Sequence, residues 1–315
     1  MQRTLILKTK IEKDRNFLSR LTNEHDGLWA IVTVIPSIIA IAVFVYSFII
    51  WNGYVSLSKW KGIIPNYAWR GIQNYIKLFN TQRFQIDLRN MLVFSVVFIG
   101  GCLVIGLFLS ILLDQNVRGE TFFRGVFLFP MAVALVVTGV VWGWLLSPGN
   151  QIAGYIGVNQ LFEWLNLDFL INGWYTDRTF GIVAVAIAAI WQMSGYVMVM
   201  YLTAIRGISI SIRDAAHIDG ANVFQLYRYI IMPNLKAITL GIVIILGHIS
   251  LKVFDLVAAM TGPGKGFATD VPAFFMWDTT FRGNNFNTGA AIGIILLILI
   301  SFLVVPYLIH LRRSE

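Results

Sequence analysis

The sequence predicts an all-α integral membrane protein whose chain crosses the bilayer six times, and three observations carry that expectation. Hydrophobic residues make up 57% of the 315 positions and charged residues only 13%, about half the charged share of an ordinary soluble domain and too little to cover a soluble surface. The apolar residues gather in six blocks of 21 to 26 residues, and a helix needs about 20 to cross the hydrocarbon core. The blocks do not alternate in polarity as the strands of a membrane barrel would. Helices remain, because their backbone hydrogen bonds close within the segment.

The elements follow in order. Residues 1–27 form a tail with six basic residues. Residues 28–50 make the first span, too long for a signal peptide and without a small-residue cleavage site, so it reads as a retained helix. A loop at 51–90 leads to a core domain, 91–311, with spans at 91–113, 125–146, 180–205, 237–260 and 289–309, and residues 312–315 close the chain. Pro36, Pro130 and Pro306 lie inside spans and invite kinks. Counting Lys and Arg on alternate sides gives fourteen with the termini and nine opposite. The excess places both termini in the cytoplasm. The net charge of +8 is then a matter of basic flanks on membrane helices and calls for no nucleic acid. Tyr155, Trp164, Trp174 and Tyr175 give the 147–179 loop the character of a segment at the membrane interface, in contact with lipid headgroups.

Chemistry is sparse. The stretch Thr261-Gly262-Pro263-Gly264-Lys265-Gly266 lacks the spacing and closing hydroxyl of a phosphate-binding loop and reads as a turn. His25, His217, His248 and His310 are scattered, and the one cysteine, Cys102, reads as a small apolar filler, so no metal site and no catalytic residue is expected.

Two features stand out. The first is the 206–236 loop between the fourth and fifth spans. Asp214 to Ile218 can form a short helix that Gly220 ends. From Val223 to Ile231 a second helix places Val223, Leu226, Tyr227 and Ile230 on one face, and Pro233 turns the chain back. Such a knob with an apolar stripe suits either a partner's groove or the lipid surface. The second feature is His248, Lys252 and Asp255 inside the fifth span, at i, i+4 and i+7 on one helical stripe. Lys252 and Asp255 can pair. The stripe is either a polar wall of a solute path or a staple between helices.

The loop resembles the EAA loop of permease subunits of binding-protein-dependent ABC importers: Glu-Ala-Ala, three residues, Gly, nine residues, Ile, one residue, Leu-Pro. Here Asp214-Ala215-Ala216, Gly220, Ile230 and Met232-Pro233 stand at those spacings, with Asp for Glu and Met for Leu. Asp219-Gly220-Ala221 is similar to the sugar branch. So are Asn74-Tyr75 with Leu78-Phe79, Phe122-Phe123-Arg124 with Phe129-Pro130, and Met260-Thr261-Gly262-Pro263. The whole resembles the MalF/UgpA type of subunit without a large periplasmic insertion. Lys252-Val253-Phe254-Asp255 and Phe267-Ala268-Thr269-Asp270 resemble the α-glucoside and glycosyl-polyol subgroup.

The resemblance implies the type I importer permease fold in a bacterial cytoplasmic membrane, moving a sugar or glycosylated solute. It implies a second homologous permease, two ATP-binding cassette subunits that hold ATP and Mg, and an extracytoplasmic solute-binding protein. This chain would bind no cofactor and hydrolyse nothing. Asp214, Ala215, Ala216, Asp219, Gly220, Phe224, Ile230 and Pro233 would engage the ATPase. Solute would meet Met193 and Tyr196 in the fourth span and Leu246, Ile249, Ser250 and Val253 in the fifth. That face of a continuous helix is opposite His248, Lys252 and Asp255, which leaves the charged stripe as a staple. The alternative is a stand-alone ion-coupled secondary transporter, which needs acidic residues in its spans. Asp255 is the one acid in any of the six blocks.

Overall fold

A computed structural model describes residues 33–314 apart from 116, 151 and 153, and for His217 and residues 310–314 it describes the backbone alone. The tail 1–27, the start of the 28–50 block, and the side chains of His217 and His310 lie outside the described residues.

Two compact units divide the chain, 1–54 and 55–315. The described part of the first is a helix, α1, Thr33–Ser56, which runs on two residues past the boundary and is wound as a π-helix at Ala42–Tyr46. Three more helices are long and apolar enough to cross a membrane: α3 (Gln82–Asp114), after the short α2 (Gln73–Phe79); α7 (Gly181–Arg206); and α13 (Phe286–Ser314), which meets the criterion over Phe286–Ile309. Pro306 lies within α13 without ending it.

Two predicted spans are not single straight helices. The block at 125–146 divides into α4 (Glu120–Ala132) and α5 (Leu135–Leu145), bent by 95°. Val133 and Ala134 are extended, three and four residues beyond Pro130, which is itself accommodated inside α4. The second bent pair is α9 (Val223–Asn234) with α10 (Lys236–Leu251), at 62°. The block at 237–260 does not continue α10 to its end. Lys252 leaves helical geometry at φ −117°, ψ 21°, and a separate short helix, α11 (Asp255–Met260), follows Phe254. The predicted i, i+4, i+7 stripe therefore does not exist as one helical face.

The remaining described α-helices are α6 (Gly157–Trp164), α8 (Ile210–Ile218) and α12 (Pro272–Trp277), with 3-10 turns at Asp168–Leu170, Trp174–Thr176 and Lys265–Phe267 and a π-turn at Asp278–Arg282. Within the second unit the most extensive packing is α3 against α7. α3 buries Asn90, Phe94, Phe98, Cys102, Gly106 and Ser110, every fourth residue and hence one face of the helix. Against it lie Ile182, Val185, Val197, Tyr201 and Ile205 of α7. In lipid this contact draws on close packing rather than on release of water. Gly106 shows how close it is, since an added Cβ would meet Val197 at 2.6 Å.

Candidate functional site

Two places combine polar side chains with an opening to the surface. The first is the knob formed by α8 and α9. Gly220 joins the two helices with φ +81°, a left-handed conformation that glycine adopts without strain. Asn222 then opens α9 with a capping box: its Oδ1 accepts from the Gln225 N–H at 2.9 Å, and Gln225 Oε1 accepts from the Asn222 N–H at 2.8 Å. The knob is fastened to the last residue of α3. Asp114, whose side chain is 4% exposed, accepts from Arg213 of α8 at 3.1 Å and from the Tyr227 hydroxyl of α9 at 2.7 Å. Arg213 also donates to the Ile205 carbonyl at 2.6 Å. Arg206, at the end of α7, pairs with Glu120 at 2.8 Å and donates to the Leu113 carbonyl at 3.1 Å.

This bolting inverts the expected apolar face. Leu226 and Ile231 are buried, and Tyr227 and Ile230 pack on the protein's own core. The apolar side chains left exposed include Ile210, Ile212, Ile218, Val223, Phe224, Tyr229 and Met232, with Phe224 75% exposed. Asp214, Ala215, Asp219, Gly220 and Pro233 are exposed as well, whereas Ala216 is buried and Ile230 half-buried.

The second place is a cavity of about 480 Å³ where the two broken segments meet α3 and α7. Met131, Val133 and Leu135 border it at the α4–α5 break, and Lys252, Val253, Phe254 and Asp255 border it at the α10–α11 break. Phe94, Phe98, Ala189, Gln192, Met193, Ile249 and Leu256 complete the lining. Gln192 bridges to one break: its Nε2 donates to the Val133 carbonyl at 2.7 Å, and its buried Oε1 meets no donor among the described residues. Irregular backbone at membrane depth is tolerated where it is buried in protein or lines a cavity, and both breaks meet that condition.

The cavity reassigns the intramembrane residues. Met193, Ile249 and Val253 line it, but Leu246 and Ser250 are fully buried, and Ser250 is hydrogen-bonded with Ser95 at 2.9 Å and donates to the Gly247 carbonyl. Tyr196 is half-buried against the core, outside the cavity lining. Lys252 and Asp255, expected on the opposite face, are exposed and line the cavity. Neither forms an ion pair among the described residues, so the pairing of Lys252 with Asp255 that their spacing allowed does not form there. His248 opens elsewhere, on a groove with Ile244, Ser301 and Val305. The cause is the break itself, which releases residues 252–255 from the 100° step that would have turned them away. A charged side chain at the centre of a span costs about 2.5–3.5 kcal/mol on translocon scales and faces protein or water.

Three residues were missed from the sequence. Asp114 ends an apolar block on a basic rim, Gln192 is the lone amide in its span, and Arg83 lies in what looked like a loop. Arg83 donates to Asp270 at 2.6 Å and to Asp278 at 2.7 Å, between the rings of Phe267 and Phe275.

Residues 102–312 match the family of binding-protein-dependent transport system inner membrane components. The chain belongs to that family and is an ABC transporter permease, a multi-pass membrane protein. It is 42% identical over 287 residues to a probable ABC transporter permease protein of Pyrococcus horikoshii, which covers 91% of this chain and 97% of the relative. It is 32% identical to the xylose/arabinose import permease protein XacH of Haloferax volcanii, over 95% of this chain and 91% of that one. It also shares its fold, at a TM-score of 0.74 and 20% identity, with a chain of a bacterial ABC transporter involved in the import of the acidic polysaccharide alginate; the match covers 94% of this chain and 99% of that one.

Proposed function

We propose that the chain is one transmembrane subunit of an ATP-driven importer that carries a sugar or glycosylated solute inward. α4 with α5 then counts as one span and α10 with α11 as another, giving six, with both termini and the knob in the cytoplasm and α6 outside. The chain hydrolyses nothing. ATP and Mg are held by two cassette subunits, a second permease completes the path, and a solute-binding protein delivers the solute. Relatives named for xylose and arabinose, and for trehalose and maltose in Thermococcus litoralis, support the sugar class.

The knob is the observation that carries this reading. Two short helices, held on α3 through Asp114, leave Phe224, Val223 and Ile218 exposed beside Asp214. Exposed apolar side chains outside the bilayer suit a partner's cleft. In this reading, closure of the ATPase pair moves the knob as a rigid piece and turns the helices that hold it.

The test is Gly220→Trp in the co-expressed complex. A bulky residue at φ +81° strains the turn and reshapes the knob. We expect normal insertion, with ATP hydrolysis detached from uptake or the ATPase lost on purification. Normal uptake would falsify the coupling role. Uptake by this chain alone, with no ATPase present, would instead establish the ion-coupled alternative.

A further inference from the structure

The cavity between the two breaks contains a cation and an anion that form no ion pair among the described residues. Lys252 and Asp255 are three residues apart, both exposed, and neither is ion-paired. At mid-span such groups face water or protein rather than lipid. The aromatic wall beside them is Phe94, Phe98 and Phe254. Gln192, 4% exposed, is the third polar side chain of the lining, with its Oε1 free of any donor among the described residues. The volume, about 480 Å³, is in the range of small-molecule sites.

We propose that Lys252, Asp255 and Gln192 form the polar recognition set of a solute site, and that the site selects an uncharged, hydroxyl-rich solute over an acidic one. The inference rests on the reading of the chain as a sugar permease and deepens it. An ammonium only donates and a carboxylate only accepts, whereas a hydroxyl does both. One polyol can therefore satisfy Lys252 through a hydroxyl oxygen and Asp255 through a hydroxyl proton, with its apolar face on the rings. An acidic sugar gains from Lys252 but brings its own carboxylate close to Asp255, and like charges in a poorly hydrated cavity repel.

The experiment uses the whole importer, with second permease, ATPase and binding protein, reconstituted in vesicles. The probes are radiolabelled xylose, arabinose, maltose and trehalose, with glucuronate as the acidic member. Lys252→Met and Asp255→Asn are each expected to lower uptake of the neutral probe carried best by roughly tenfold, the worth of a hydrogen bond to a charged group. The yield of assembled complex should stay as in the wild type. Asp255→Asn should also raise the ratio of glucuronate to neutral uptake, and Lys252→Met should not.

Wild-type uptake in either variant, or an unchanged ratio in Asp255→Asn, overturns the inference and leaves the permease reading intact. So does a fall in complex yield for each variant that the double variant restores, since that marks a staple to a neighbouring subunit. If the wild-type complex carries none of the panel and none of a second panel of larger oligosaccharides and glycosylated polyols, the sugar reading itself fails and this inference with it.

Discussion

Asp114 shows how much one buried side chain organises. It receives Arg213 and Tyr227 from two different helices of the knob, and hydrogen bonds to a charged group contribute about 1.5–3 kcal/mol each. Asp114→Ala should leave insertion intact but loosen the knob. Faster protease cleavage within 207–222 in membrane vesicles, with lower uptake, is the expected outcome. Arg83 has the same standing at the other end of α3, between the fully buried Asp270 and the partly exposed Asp278. Removing it strands a buried carboxylate, so Arg83→Ala should lower stability by about 3 kcal/mol or more, read as a fall in Tm of the purified complex. Asp87 is fully buried and its oxygens meet no donor among the described residues, so the isosteric Asp87→Asn should not lower Tm. At the surface, Asp177 accepts from the N–H groups of Thr179 and Phe180 at 2.7 Å, which holds its carboxyl below the ordinary range. That local stabilisation is present above the unfolded carboxyl's pKa and is lost as pH falls through the lower folded value. Asp177→Asn should therefore flatten the acid-limb pH dependence of the protection factors at Thr179 and Phe180, measured against their intrinsic exchange rates.

At the scale of elements, the apolar blocks were legible because each long enough run has to become a helix in lipid. Helix α7 begins and ends within a residue of its block. The breaks were not legible. Hydropathy reports whether a segment is buried, not whether its backbone is continuous, and Lys252-Val253-Phe254-Asp255 contains neither Pro nor Gly to mark a stop. Pro130 invited a kink, but it is accommodated inside α4, and the break falls beyond it at Val133 and Ala134. The knob's inner face shows a further limit. Spacing identified Leu226, Tyr227 and Ile230 as neighbours, but a shared face does not say whether it meets a partner or the chain's own core. Here Asp114, distant in sequence, decides the matter. The start of α9 was readable in principle, since Asn222 and Gln225 have capping-box spacing. Asn222→Ala should cost about 1 kcal/mol, seen as earlier loss of knob protection in hydrogen exchange.

At the scale of the molecule, the EAA spacing, the match over residues 102–312 and the fold shared with a chain of the alginate transporter agree on an ABC permease. Of the residues expected along a solute path, Met193, Ile249 and Val253 line the cavity, whereas Ser250 is committed to helix packing; Lys252 and Asp255, expected on the other face, line the cavity too. Ser250→Leu, which looks like a cavity-filling change from the sequence, should instead disturb the contact with Ser95 on α3 and reduce assembly. Complex yield in detergent checks this; a normal yield with altered uptake would return Ser250 to the path.

Helix α3 is one unbroken run of 33 residues, about 50 Å at 1.5 Å per residue. Its final residue is clasped by the knob and its second residue by the loop that carries Asp270 and Asp278. A rod gripped at both ends behaves as a lever. On the proposed reading, work done on the knob runs along α3, past Phe94 and Phe98 in the cavity wall, to the segment at its far end, so the drive and the solute share one rod.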